Sequence, residues 1–261
     1  RTIRIRPNAN ANGTLTTWLD ALYRGGYARP KVVITFDDSS DGQYTTAKSV
    51  LDTYGFKATF YVIGSNVQSS TAGAISQVQA DTLYAQGHDI GYHAWTNNDH
   101  NNYASLTTSE LMASHNAWLA YASNRYPRSF MHHAMPTGAD SATVQASVKA
   151  AGFFSGRGTR RLIQNHLFGI DDMYNLRCYS IDFTADTTNT IAAMSNTAIT
   201  YGSTLFLNFH SLLATTTSCK KVSLADFSTI MGDLYRKKAL GLFDVMTVSE
   251  CYNGLSNPRR Y

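Results

Sequence analysis

The chain has 261 residues, enough for one large domain or one domain with an extension. Hydrophobic residues make up 43% and charged residues only 15%, with Asn, Ser, Thr and Tyr plentiful, a balance that suits an extracellular, cell-surface or virion-associated protein. The net charge of +4 is scattered in isolated basic doublets, which leaves no footprint for nucleic acid, and no apolar stretch approaches the length of a membrane span.

Residues 1–29 differ from the rest and read as an N-terminal extension or the linker from an upstream domain. The main domain is expected over 30–261, as part of a larger multidomain protein. Val32 to Phe36 is a run of β-formers ending in Asp37 and Asp38. A helix is predicted over 44–54 with Gly55 closing it, then a strand over 58–63. A helical stretch at 74–86 stops at Gly87, and a strand follows over 88–92. Helical periodicity returns over 108–124, an extended stretch over 129–135 and a helix over 141–151. Strands are predicted at 153–157 and 178–181, and a helix at 190–201 with Asn189 as its N-cap. An apolar strand at 203–209, a helix at 225–239 and a strand at 244–248 complete the pattern. Repeated β–α units predict an α/β fold, a deformed (β/α) barrel of about seven or eight parallel strands. Cys219 and Cys251 can pair in an oxidising compartment and leave Cys178 free, but three thiols do not decide it.

Polar residues recur just past the predicted strands: Asp37 and Asp38, then His93 with His100 seven residues on, then Pro136-Thr137-Gly138, Asp182 and His210. In a barrel of parallel strands these places share one mouth. One Asp and two His make a three-ligand metal site with positions left open for water and substrate. A second Asp can accept the proton of the attacking water, and a His across the mouth can protonate a leaving group. Trp95 and Tyr103 lie near enough in sequence to stack on sugar rings.

The block Thr35-Phe36-Asp37-Asp38 with Tyr54-Gly55 and Lys57-Ala58-Thr59-Phe60, the stretch Gly87 to His93, and Phe209-His210-Ser211-Leu212 together resemble the polysaccharide deacetylase family, also called carbohydrate esterase family four or the NodB-homology family. The resemblance spans about residues 30–250. It implies Asp37 as general base, Asp38 and His93 as metal ligands, and His210 as general acid, with Leu212 beside the substrate. The expected cofactor is one divalent ion, Zn2+ first, with Co2+, Ni2+ or Mn2+ also suited. The expected substrate is an acetylated polysaccharide or oligosaccharide. A hydrolase of a small amide, or a barrel that binds carbohydrate without catalysis, is the alternative.

Three departures from the family pattern stand out. The second metal His is expected four residues after the first, where this chain has Asn97; an inserted loop would bring His100 to the site, with Asn97 and Asp99 as alternatives. Seven residues of rigid helix would instead span about 10 Å. The Arg that precedes the third block in many members is missing from His132-His133-Ala134-Met135-Pro136-Thr137-Gly138, which resembles the subgroup with Ala-Tyr-Pro-x-Gly. Something else must orient Asp37, and His133 is the candidate; Asp182 is a candidate support for His210. The Thr137 backbone N–H remains available as an oxyanion donor, since it needs no particular side chain. Finally, Ser39 stands where the family has Gly, so the loop is expected to differ locally.

Overall fold

The computed structural model describes residues 29–159, 172–213 and 220–256. The strands are β1 (Lys31–Phe36), β2 (Thr59–Ile63), β3 (Asp89–Ala94), β4 (His132–Ala134), β5 (Ser155–Arg157), β6 (Tyr179–Ser180), β7 (Thr204–Phe209), β8 (Ser211–Leu213), β9 (Lys221–Ser223) and β10 (Asp244–Met246). The helices are α1 (Lys48–Tyr54), α2 (Gly64–Gln68), α3 (Gln77–Ala85), α4 (Asn97–Asn102), α5 (Thr108–Ala122), α6 (Ala142–Ala150), α7 (Thr188–Tyr201), α8 (Leu224–Ala239) and α9 (Val248–Ser256). All pairings in the main sheet are parallel, in the order β5-β4-β3-β2-β1-β7-β6. β1 pairs with β7 along its full length and divides its other edge between β10 and β2. A bridge between Arg157 and Leu176 ties β5 to the segment that leads into β6. The result is the expected α/β barrel in a deformed, incompletely closed form. β8 and β9 form a small separate sheet beside the mouth.

Side-chain alternation explains where the chemistry sits. Val32, Ile34 and Phe36 pack outward with Phe60, Val62, Leu205 and Leu207 in the main core. Val33 packs the other way, with Tyr61, Ala134, Cys178 and Phe206. Val33, Thr35 and then Asp37 therefore form one inward column, and Phe206, Asn208 and then His210 the facing one. The Thr35 hydroxyl donates to Asn208 Oδ1 at 3.2 Å, and Asn208 Nδ2 donates to Asp37 Oδ2 at 3.0 Å, which joins the columns. Gly91 leaves the interior room for the Tyr61 ring; a Cβ there would lie 2.8 Å from it and 2.9 Å from the His132 carbonyl.

Several local expectations change. β3 runs two residues further than predicted, and His93 lies within it, in a bulge opposite Val62 and Ile63. The stretch after it is the helix α4 rather than a loop. The N-cap of α7 is Thr187, whose hydroxyl accepts from Thr190 N–H, and not Asn189. Only His132–Ala134 of the stretch 129–135 is strand. The 1–28 part of the extension and Cys219 lie outside the described residues; Cys178 and Cys251 are buried free thiols. Among the described residues, no helix is long and apolar enough to cross a membrane.

Candidate active site

Asp37 continues the β1–β7 ladder, its N–H donating to the Phe209 carbonyl at 3.0 Å, so its side chain follows the strand inward and is 2% exposed. Asp38 then turns at φ +71 and Ser39 at φ +62, which swings the second carboxylate out toward the mouth. Ser39 keeps the left-handed turn where the family has Gly. Its buried hydroxyl accepts from Ile63 N–H at 2.7 Å, which offsets part of the roughly 1–2 kcal/mol such a conformation costs a residue with a Cβ.

Three side chains converge on the mouth. His93 Nε2 lies 3.2 Å and His100 Nε2 3.1 Å from Asp38 Oδ1, and the ring centroids are 5.0 Å apart. The donor atoms of Asp38, His93 and His100 all fall within 4.8 Å of one another. The tautomers are informative. His93 Nδ1 lies 2.7 Å from the Ala134 carbonyl, which can only accept, so the proton sits on Nδ1. Its Nε2 is left as the atom beside the Asp38 carboxylate: it gives a lone pair to a cation held there or, with no cation, carries a second proton and donates to Asp38. His100 repeats it, with Nδ1 at 3.0 Å from Asn101 Oδ1. A backbone or amide oxygen behind each imidazole is the usual support of a metal-ligating His. The set fits a divalent cation. Burial works against ionising Asp38, but the two imidazoles hold its pKa far below the ordinary value, and Asp38 in turn raises that of His100.

Helix α4 delivers His100. Thr96 caps it, accepting from Asp99 N–H at 3.0 Å, while Asp99 Oδ2 accepts from Thr96 N–H at 3.1 Å and from the Ser114 hydroxyl at 2.7 Å. The side-chain amides of Asn97 and Asn66 exchange hydrogen bonds, each Nδ2 donating to the other's Oδ1. Both alternatives for the third ligand position are thus engaged elsewhere.

Asp37 is held differently. Arg157, fully buried on β5, donates from Nη2 to Asp37 Oδ1, and Asn208 takes the other oxygen. The guanidinium stacks over Tyr61 at 4.9 Å from the ring centroid. Burial pushes the Asp37 pKa up, but Arg157 and the two nearby His more than compensate, and it stays below the ordinary value. Sequence reasoning missed both partners. The signals were present: a charged residue at the end of Ser155-Gly156-Arg157 and an amide inside Leu205-Phe206-Leu207-Asn208-Phe209, both in otherwise apolar strands.

The contact to Asp37 expected from His133 comes from these two residues instead. His133 Nε2 lies 3.0 Å from the Tyr103 hydroxyl, which also meets His115 Nε2 at 2.9 Å. Tyr103 is 1% exposed, so that ring packs in the core and has no free face for a sugar. Trp95 is half-buried against Tyr121. Leu212 is 2% exposed and belongs to the core cluster.

His210 is 5% exposed, and its Nδ1 has no hydrogen-bond partner among the described residues. The support expected from Asp182 is not made through that nitrogen; Asp182 Oδ1 caps its own turn, accepting from Thr184 N–H and hydroxyl at 3.0 and 2.7 Å. Burial lowers the His210 pKa to about 4, although Asp37 and Asp38 pull it up. Thr137 and Gly138, at φ +54 and +73, turn the chain sharply at the end of β4. Gly138 is required there, since a Cβ would lie 2.1 Å from the Thr159 hydroxyl. Thr137 also borders a pocket of about 160 Å³ with Thr159, Ser180, Asp182 and Lys220.

Comparison with known proteins agrees with this architecture. A putative polysaccharide deacetylase from Mycobacterium smegmatis superposes with a TM-score of 0.65 at 12% identity, over 91% of this chain and 94% of that one. The Xyl-CE4 domain of a multidomain xylanase from the hindgut metagenome of Trinervitermes trinervoides gives 0.58 at 14% identity, over 87% and 92%. A family 4 acetyl xylan esterase from Clostridium thermocellum, solved in complex with a cobalt ion, gives 0.54 at 20% identity, over 85% and 90%. At such identities the likeness concerns the fold alone. No curated protein matches by sequence. The family model for polysaccharide deacetylase matches residues 24–155, half of the chain, and with it the chain belongs to the polysaccharide deacetylase family.

Proposed function

We propose that this protein is a metal-dependent deacetylase of an acetylated carbohydrate polymer, with Asp38, His93 and His100 as ligands of one divalent cation. The observation that carries the reading is the pair of imidazole Nε2 atoms converging on one Asp38 oxygen, next to a second carboxylate that touches neither imidazole through a hydrogen bond. Zn2+ suits a His and Asp donor set, and the cobalt-containing esterase of the same fold supports Co2+ as a substitute. Bound there, such a cation lowers the pKa of water and polarises the acetyl carbonyl.

The chain's own residues do the rest. Asp37, ionised and fixed by Arg157 and Asn208, takes the proton of the attacking water. The Thr137 backbone N–H is the oxyanion donor, set by the turn at the end of β4. His210 protonates the departing amine or alkoxide. It starts neutral and takes up a proton from solvent as charge builds on the acyl oxygen, which adds to the pull of Asp37 and Asp38; that proton goes to the leaving group and the ring returns to neutral. Relatives by fold named for peptidoglycan and xylan support a glycan substrate; that it is met outside the cell or on a particle is proposed from composition alone.

The test pairs two variants. Asp37→Asn is expected to retain metal by elemental analysis and to lose at least 100-fold in acetate release from acetylated oligosaccharides, the range of a lost general base. His100→Ala is expected to lose metal. Full activity in the first, or unchanged metal in the second, refutes the corresponding role.

A further inference from the structure

We infer that Gln43 is a positioning residue that sets the main chain of His210 against that of Asp37. The β1–β7 ladder ends with the bond from Asp37 N–H to the Phe209 carbonyl, and the chains part beyond it. Two carbonyls, those of Asp37 and His210, are left past the last rung. Gln43 is fully buried, and its side-chain amide reaches both: Nε2 lies 2.5 Å from the Asp37 oxygen and 2.8 Å from the His210 oxygen. An amide NH2 carries two hydrogens, and both are used. The other end of the same side chain, Oε1, is buried without a partner among the described residues. The segment is also held tightly where it meets the strand after His210: a Cβ on Gly42 would lie 2.4 Å from the Leu212 carbonyl.

The two proposed catalytic side chains depend on this clasp unequally. Asp37 is braced through both carboxylate oxygens by Arg157 and Asn208. His210 has no partner on Nδ1 among the described residues, so no hydrogen bond through that nitrogen braces its ring against a shift of its backbone. Loss of the Gln43 amide should therefore act on proton delivery to the leaving group and spare the metal ligands and Asp37.

This rests on the assignment of His210 as the acid, and the experiment separates the two. Gln43→Met removes both N–H groups at similar volume. Acetate release from an acetylated oligosaccharide, whose leaving group needs a proton, is compared with hydrolysis of 4-nitrophenyl acetate, whose leaving group does not. The expected result is a fall of about 10- to 100-fold in kcat on the oligosaccharide, the scale of a catalytic group displaced by up to an ångström, with KM and metal content nearly unchanged. The loss on the activated ester is expected to be at least about tenfold smaller, because acid catalysis adds little there. In a His210→Ala background, Gln43→Met should cost nothing further on the oligosaccharide. Equal losses on both substrates, or a full multiplicative loss in the His210→Ala background, would overturn the role of Gln43. If His210→Ala itself retains activity, the acid assignment fails instead. Should Gln43→Met not fold, Gln43→Asn, one methylene shorter and able to reach one carbonyl at most, is put through the same comparison and judged by the same outcomes.

Discussion

Arg157 supplies at β5 the positive charge that the pattern around Pro136 lacks. It is fully buried, as is Asp37, so neither charge is stable alone. Removing one partner of such a pair costs about 3–5 kcal/mol, because the other is left without compensation. In Arg157→Met, burial of Asp37 would lose its main opposing charge, with only His93 and His210 left against it, and drive its pKa up. In the wild type the Asp37 pKa lies below its unfolded value, so the pair stabilises the fold above about pH 4 and loses that contribution in stronger acid. Arg157→Met is therefore expected to lose about 3–5 kcal/mol in urea denaturation at pH 7, and the double variant with Asp37→Asn to regain part of it. A stability equal to wild type would mean that Asp37 is already neutral. The residue was invisible as a partner because the sequence shows strands in order but not which inward columns face each other. The Asp pair itself was legible as two carboxylates at the end of the first predicted strand.

Helix α4 decides where His100 lies. The spacing of seven between the two His argues against a continuous helix, and the structure agrees: strand, bulge, bend and one short helix fold the second imidazole back beside the first. The Asn-rich composition of 97–102 hid the helix, since Asn is a poor helix former and the stretch has no apolar stripe. What holds it is the reciprocal cap between Thr96 and Asp99, extended to Ser114 on α5. An N-cap of this kind is worth about 0.5–2 kcal/mol. Thr96→Ala is expected to weaken metal retention by about 2- to 30-fold, that energy expressed as an affinity. The measurement is competition with a chelator of known affinity. The melting temperature of the metal-free protein should move little, because α4 has no fully buried residue. Unchanged metal affinity would show that His100 needs no help from its helix. Elsewhere, periodicity and glycine stops located β1, α1, β2, α5, α6, β7 and α8 to within a few residues. Errors gathered where capping, a bulge or a three-residue strand set the boundary, features fixed by contacts rather than by pattern.

At the scale of the molecule, a barrel this small buries an unusual number of imidazoles. His88, His115 and His132 are 0%, 0% and 1% exposed, and burial lowers their pKa values to about 4, 4 and 3 from an ordinary 6.5. The parallel αβ order was readable from the sequence, but which His would end inside was not, because that depends on how strands curl around the interior. The sign of the consequence follows from linkage. Below pH 6.5 the unfolded chain takes up protons that the folded chain refuses, so stability is complete above pH 6.5 and falls as the pH drops toward 4. Each such His costs about 1.4 kcal/mol per pH unit in that window. His133 and His210, whose pKa values burial also lowers, add to the loss, while His100 works in the opposite sense, since Asp38 raises its pKa. Asp37 and Asp38, both lowered, stay ionised throughout and contribute no slope. Metal-free protein is therefore expected to lose about 4–6 kcal/mol in urea denaturation between pH 7 and pH 5.5. His132→Gln should shrink that loss by about 1 kcal/mol, since one of the refused protons no longer exists in either state. A stability that stays flat from pH 7 to pH 5.5 would mean that the buried imidazoles accept protons within the fold, and that the barrel interior admits water to them.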